Sequence, residues 1–299
     1  MTTWTTTADV PLTAADRPPH DRRRARSRAR VHVLLHIGLG AWALISMFPV
    51  VYMLLASIQS TQQIYQGVQV VPHHPIFGNY LHAWKQASFG RYLGNSVIYT
   101  TSVTALVLLF GTAAAYAFAR LRFYGKNVIY YLLLVFLFVP IPGQFIPLYV
   151  VLVRLHLANT RIGYILPLVN ASLAPAIFIL RRFFEALPRE VEEAALVDGA
   201  SRFRIYRSIA LPMAKPAIAT VGILTVLSVW NEFVLALIVF SDQKLMPLQV
   251  GVQTFQGTYF SEYGLMMAAL SIATLPVVAV YIAFQRFIIK GVMAGAVKG

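Results

Sequence analysis

Residues 181–216, RRFFEALPREVEEAALVDGASRFRIYRSIALPMAKP, form a polar stretch between two long apolar runs. A charged side chain at the centre of a bilayer costs about 2.5–3.5 kcal/mol on insertion scales. We therefore place this stretch in water, although the sequence around it is apolar enough for a membrane. Its charged residues are Arg181, Arg182, Glu185, Arg189, Glu190, Glu192, Glu193, Asp198, Arg202, Arg204, Arg207 and Lys215.

Helix signals predict a first short helix in this stretch. Pro188 suits the first helical turn, because its missing N–H is not needed there. Glu190, Glu192 and Glu193 follow near the positive end of the helix dipole. Asp198-Gly199 is expected to end the helix, since glycine tolerates the left-handed cap conformation.

A second short helix is predicted to follow at once. Ser201 is a suitable N-cap, and Pro212 is expected to end the helix. Phe203, Tyr206 and Ile209 recur at every third residue between them, whereas the arginines face elsewhere. The two helices together predict a folded element with a small apolar face and a basic face, which contacts another protein.

Glu193-Ala194-Ala195 is followed at fixed spacing by Gly199, Ile209 and Leu211-Pro212. This spacing resembles the "EAA" signature of permease subunits in bacterial ABC importers, and every signature position matches. In that family the loop is a coupling helix that docks into a cleft on the cytoplasmic ATPase subunit. The resemblance implies an ATPase-coupling loop at about residues 185–216, in which Asp198 and Gly199 form the shaping turn.

The composition indicates an all-α, polytopic membrane protein: 58% of the 299 residues are hydrophobic and 12% are charged. Each apolar segment exceeds the roughly 20 residues that a spanning helix needs. We predict six transmembrane helices and a cytoplasmic two-helix coupling loop. Prolines in the third and fourth segments predict kinked or broken helices. The segments lie at about 31–58, 94–119, 128–153, 162–184, 217–240 and 265–289.

The distribution of positive charge predicts the orientation. One side of the six spans receives the residue 1–30 tail, the loop near 120–127, the polar stretch and the C-terminus. The other side receives only Lys85, Arg91, Arg154, Arg161 and Lys244. We expect both termini to be cytoplasmic in a multi-pass protein of the bacterial inner membrane. Residues 1–30 are predicted to be a disordered basic tail, and residues 31–299 the transmembrane domain.

Motifs in the second half narrow the resemblance to the carbohydrate-importer branch, the maltose-permease-like subunits. In that branch, the permease pairs with a second permease subunit and with a dimer of ATP-binding subunits, and an extracytoplasmic solute-binding protein delivers the carbohydrate substrate. The resemblance implies the same partners here, in a membrane lipid environment. The motifs are W-N-E-F at 230–233, P-L-Q-V-G at 247–251, Y-G-L-M at 263–266, L-P at 275–276, Q-R at 285–286 and GVMAGAVKG at 291–299.

The W-N-E-F motif places a carboxylate, Glu232, within the fifth apolar segment. An ionisable residue inside a membrane helix is a functional hypothesis by default. Two interpretations of Glu232 stay open: its carboxylate forms a hydrogen bond with a neighbouring helix or subunit, or it lines the substrate path. Trp230, Asn231 and Glu232 are therefore the candidate residues of a translocation path.

The sequence offers no catalytic or metal site. The chain has no cysteine, its histidines lack metal-ligand spacing, and no G-x-x-x-x-G-K-[ST] loop is present. We expect no enzyme activity and no cofactor bound by this chain, with ATP and Mg used by the partner ATPase. The net charge is +14. Most of the positive side chains lie on one side of the predicted spans, which is explained by membrane topology, so no nucleic-acid partner is expected. The alternatives are a stand-alone secondary solute transporter and a non-transporting membrane scaffold.

Overall fold

The computed structural model describes residues 19–67, 72, 74–86, 88–138, 144–253, 255 and 262–296, and this part of the chain is helical without a β-strand. The chain divides into two compact units, Met1–Met53 and Leu54–Gly299. The helices are α1 Pro19–Ala56, α2 Thr61–Tyr65, α3 Gly78–Gln86, α4 Phe89–Arg120, α5 Lys126–Phe138, α6 Phe145–Arg154, α7 Arg161–Ala186, α8 Arg189–Val197, α9 Arg202–Met213, α10 Lys215–Trp230, α11 Val234–Val239, α12 Leu248–Gln253 and α13 Tyr263–Ala296.

The first unit contains most of α1, whose last residues belong to the second unit. Helix α1 begins at Pro19, although residues 1–30 were predicted to be a disordered tail. Arg and Ala are strong helix formers, so the basic run extends the apolar helix in the N-terminal direction. Residues 1–18 of the predicted tail lie outside the described residues.

The second unit is built around the contact between α4 and α7. Helix α4 carries a row of residues four apart, Tyr99, Val103, Val107, Gly111 and Ala115, all buried. Such a row forms one ridge of a helix surface. A Cβ at Gly111 would lie 3.5 Å from the Cβ of Ala176, which is ordinary van der Waals contact between α4 and α7. Helix α10 packs against both α4 and α7.

Four described helices are long and apolar enough to cross a membrane: Val33–Ala56, Phe89–Arg120, Arg161–Ala186 and Tyr263–Phe284. The pair formed by α9 and α10 makes a fifth candidate, bent by 75°. The segment predicted at 128–153 is instead two shorter helices, α5 and α6. The break expected at Pro140 and Pro142 falls outside the described residues. By length and composition, the described residues therefore contain four or five candidate spans, where six were predicted.

The segment predicted at 217–240 is also interrupted, because α10 ends at Trp230 and α11 starts at Val234. Hydropathy alone does not reveal this break, since residues on both sides are apolar. The interruption falls on the W-N-E-F motif, at the only carboxylate of that segment.

Close packing explains two glycines in the motifs of the second half. A Cβ at Gly251 would overlap the ring of Tyr92, and a Cβ at Gly264 would overlap the backbone carbonyl of Gln59. Glycine is therefore required at both positions to let α12 and α13 approach their neighbours.

Candidate functional site

Helix α8 of the coupling loop ends in a Schellman motif. Gly199 has φ +78°; its N–H donates to the carbonyl of Leu196 at 3.1 Å, and the N–H of Ala200 donates to that of Ala195 at 2.9 Å. These bonds satisfy carbonyls that the end of a helix leaves free. The predicted Asp198-Gly199 turn is therefore present. Pro188 occupies the N-cap position, just before the first turn in which it was predicted.

Helix α9 starts as predicted, with the Ser201 hydroxyl accepting the N–H of Arg204 at 3.2 Å. It does not end before Pro212 but runs to Met213. Tyr206–Ala210 form a π-helical turn, in which the N–H of Leu211 donates to the carbonyl of Tyr206. Proline provides no N–H and its ring clashes with the carbonyl four residues earlier, and a wider turn relieves that clash.

An ion pair joins α8 to the end of α4. Arg120 Nε lies 3.1 Å from Glu192 Oε1, and the two side chains are only 5% and 11% exposed. Arg120 Nη2 also donates to the carbonyl of Leu187 at 2.6 Å. Earlier along α4, the hydroxyls of Tyr206 and Thr112 share a hydrogen bond of 2.8 Å. The coupling loop is thus fixed to α4 by polar contacts from both of its helices.

The surface of α8 that faces away from α4 is exposed and carries both apolar and charged side chains. Val197 is 88% exposed, and on α9 Phe203 is 67% exposed. The predicted apolar face of α9 is therefore divided, because Tyr206 faces α4 while Phe203 stays exposed. Of the signature and turn residues, Glu193, Ala194, Asp198, Gly199 and Pro212 are exposed, and Ala195, Ile209 and Leu211 are half-buried.

Glu232 caps α11. Its carboxylate accepts the N–H of Leu235 at 2.8 Å and that of Ala236 at 3.3 Å, and the hydroxyl of Tyr164 on α7 donates to it at 3.0 Å. A carboxylate at a helix N-terminus satisfies otherwise free N–H groups. The geometry therefore gives Glu232 the hydrogen bond to a neighbouring helix that was one of its two interpretations.

The other two candidate path residues do not converge on Glu232. The Trp230 Nε1 donates to the carbonyl of Ala273 on α13 at 3.2 Å, and the Trp230 ring is buried. Asn231 is exposed, and its amide donates to the carbonyl of Leu227 at 2.8 Å. The motif therefore ties the break between α10 and α11 to two different helices.

We expect Tyr164→Phe to lower the melting temperature of the purified protein. The change removes one hydrogen bond to a charged acceptor, worth about 1.5–3 kcal/mol, while keeping the buried ring. The matched control is Tyr149→Phe, which alters a tyrosine that is 37% exposed on α6 and should leave the melting temperature unchanged. Equal melting temperatures for the two variants would contradict the capping role of Glu232.

Sequence reasoning missed a second polar anchor, at the start of α4. Asn95 donates to the carbonyls of Lys244 at 2.8 Å and Met246 at 3.0 Å, and Tyr99 donates to that of Leu245 at 2.6 Å. The hydroxyl of Ser96 accepts the N–H of Leu248 at 2.8 Å. The available signal was the cluster of polar side chains in an apolar helix, which needs partners.

The described residues contain no group of three or more His, Cys, Asp or Glu side chains that could hold a metal ion. Polar anchors hold residues 185–216 and the segment at 244–248 against α4.

Comparisons with known proteins agree with this architecture. The family model described as "Binding-protein-dependent transport system inner membrane component" matches residues 107–293. The chain is 38% identical to the diacetylchitobiose uptake system permease protein NgcG of Streptomyces coelicolor, over 93% of this chain and 92% of that protein. It is 31% identical to the trehalose/maltose transport system permease protein MalG of Thermococcus litoralis, over 92% and 99%.

A solved structure has the same fold. It is the crystal structure of a bacterial ABC transporter involved in the import of the acidic polysaccharide alginate. The match has a TM-score of 0.76 at 25% sequence identity, and it covers 87% of this chain and 97% of that one.

Proposed function

The chain belongs to the family of binding-protein-dependent transport system inner membrane components, and from this premise we propose that it is the permease subunit of an ATP-driven importer for a carbohydrate. The relatives named above carry diacetylchitobiose and trehalose or maltose in their names, which supports a sugar substrate. The chain would form half of the translocation path, with Trp230, Asn231 and Glu232 near it.

The observation that carries the proposal is the exposed face of α8 and α9, which combines signature residues with the exposed apolar side chains of Val197 and Phe203. Exposed apolar groups beside acidic ones are typical of a surface that binds a partner. We propose that this face docks into an ATP-binding subunit on the cytoplasmic side. That subunit, as a dimer, would use ATP and Mg, while this chain binds no cofactor.

The proposed mechanism is alternating access driven from outside the chain. Closure of the ATPase dimer would move α8 as a rigid body, and the Arg120–Glu192 pair would carry that movement to α4. Alternating access requires only that the helices have two arrangements and that the docked partner stabilises one of them relative to the other. A second permease subunit would complete the path, and an extracytoplasmic solute-binding protein would deliver the sugar.

The test is purification of the tagged chain from its own host in mild detergent, with mass spectrometry of the proteins that accompany it. We expect a second permease, an ATP-binding subunit and a solute-binding protein, and a complex that takes up sugar into liposomes only with ATP. Recovery of a chain that transports solute alone and without ATP would overturn the proposal and favour a secondary transporter.

A further inference from the structure

Four cationic side chains come together where α5, α7 and α8 meet. Lys126 is the first residue of α5, and the guanidinium carbon of Arg181 on α7 lies 3.6 Å from the ring centroid of Tyr130 on α5. Arg122 precedes α5, and Arg189 begins α8. We call these four residues, Arg122, Lys126, Arg181 and Arg189, the basic cluster.

The positive charges of the basic cluster act on one another. Burial, and after it the charge of Arg181, lowers the pKa of Lys126, and Arg122 and Arg189 act in the same direction. Within the described part of the chain, Glu185 is the only carboxylate that opposes this shift, and it already accepts a hydrogen bond from Arg181 Nε at 2.7 Å. Cations held this close to one another favour the binding of an anion.

Three members of the basic cluster keep hydrogen-bond donors that no protein group uses. Lys126 Nζ donates to the carbonyl of Leu121 at 3.0 Å, which leaves two of its three N–H groups. The side chains of Arg122 and Arg189 are exposed and form no hydrogen bond or ion pair with any described residue. Arg181 differs, because its side chain is only 17% exposed, so it contributes charge to the cluster rather than a contact.

The basic cluster lies at the edge of an apolar surface. Helix α5 is apolar after its first turn, and much of its side-chain surface is exposed, as is expected of a helix that contacts lipid. Tyrosine is enriched where membrane and water meet, and Tyr124 is fully exposed just before α5. The cluster is therefore placed at the depth of lipid headgroups. The exposed large side chains of α5 are Val128, Ile129, Tyr131, Leu132 and Val135.

Membrane topology alone does not explain this arrangement. The positive-inside rule accounts for the number of cations on one side of a membrane, but not for their convergence from three separate stretches of the chain. Basic pockets between membrane helices on the cytoplasmic side suit anionic lipid headgroups. An ATP-binding subunit fits less well, because the proposed docking face is marked by Val197 and Phe203, whereas the basic cluster continues into the apolar surface of α5.

We propose that the basic cluster binds the phosphate of an anionic phospholipid, in the leaflet that we predict to be cytoplasmic. Arg122, Lys126 and Arg189 would donate hydrogen bonds to the phosphate oxygens, while Arg181 adds a fixed positive charge behind them. The acyl chains would lie along the exposed apolar surface of α5. This inference goes beyond the proposed function and does not depend on the identity of the transported solute.

The test measures lipid binding to the complete chain, purified in detergent, by native mass spectrometry. The probes are phosphatidylglycerol and phosphatidylcholine with the same acyl chains, and we expect phosphatidylglycerol to bind more tightly. Arg122→Gln/Arg189→Gln should weaken its binding about thirtyfold, or about fivefold for each cation removed. Glu185→Gln removes the opposing charge and should tighten binding about fivefold, a gain that loss of folding could not produce.

The matched control, Lys85→Gln/Arg154→Gln, removes two exposed cations outside the basic cluster and should bind phosphatidylglycerol as the wild type does. Equal weakening in the two double variants, or equal binding of the two lipids, would overturn the inference. Displacement of the lipid by inorganic phosphate at the same concentration would overturn it in favour of a free-phosphate site. Displacement by the ATP-binding subunit would overturn it in favour of a protein interface.

Discussion

Gly199→Pro is expected to abolish ATP-dependent uptake while the protein still inserts into the membrane. The native φ of +78° is inaccessible to proline, whose ring fixes φ near −65°. Proline also lacks the N–H that Gly199 donates to Leu196. The Schellman motif would be lost, and α8 and α9 would no longer leave the turn at the angle that presents their exposed faces together.

A graded series separates backbone strain from loss of a side-chain contact. A Cβ at Gly199 would meet no atom within 4 Å, so substitution there acts through the backbone alone. Gly199→Asn should retain most uptake, since asparagine tolerates the left-handed region. Gly199→Ala should fall between the two, with a strain of about 1 kcal/mol.

The measurements are uptake into membrane vesicles, the amount of protein in the membrane, and recovery of the ATP-binding subunit with the tagged chain. We expect the order Asn, Ala, Pro for decreasing uptake and decreasing recovery, at equal membrane levels. Normal uptake by the proline variant would show that the turn does not position a docking surface.

The turn and caps of the coupling loop were predictable because their signals are local. Asp198-Gly199 and Ser201 act through hydrogen bonds to residues within five positions along the chain. The path of α9 through Pro212 was not predictable in the same way. The π-helical turn at Tyr206–Ala210 relieves the clash of the Pro212 ring, and sequence periodicity does not encode such a turn.

The break at residues 231–233 shows that interruptions of the predicted spans are also hard to predict from sequence. Hydropathy measures the cost of contact with lipid, and that cost is low on both sides of the break. The break is stabilised by Tyr164, which comes from another helix. The sequence left two interpretations of Glu232 open, a hydrogen bond to a neighbouring helix or subunit and a place on the substrate path, because contacts across the fold cannot be read from local sequence.

Helix α4 connects the two anchored segments. Near its start, Asn95, Ser96 and Tyr99 hold residues 244–248, and at its end Arg120 holds α8. The helical rise separates Tyr99 from Arg120 by roughly 30 Å. A single helix thus links the proposed ATPase-docking loop to residues 244–248, which we predict to lie on the other side of the membrane.

Glu192→Gln tests that link, and we expect it to destabilise the protein and to uncouple ATP hydrolysis from uptake. The change leaves Arg120 buried with an uncompensated charge, and removal of one partner from a buried pair costs about 3–5 kcal/mol. The matched control is Glu185→Gln, which alters the same residue type in an ion pair with Arg181. In that pair Glu185 is 35% exposed, and exposed pairs contribute about 0.3–0.5 kcal/mol.

The double variant Arg120→Met/Glu192→Leu separates two effects: the cost of an unpaired buried charge, and the loss of the link between α8 and α4. Replacement of both partners by apolar residues of similar size should restore much of the melting temperature, because no buried charge remains. If the pair also transmits movement, the double variant should still hydrolyse more ATP per sugar imported than the wild type. Recovery of both stability and coupling would show that the pair only stabilises α8. A melting temperature of Glu192→Gln equal to that of Glu185→Gln would contradict the burial argument, since the two variants differ chiefly in the exposure of the altered carboxylate.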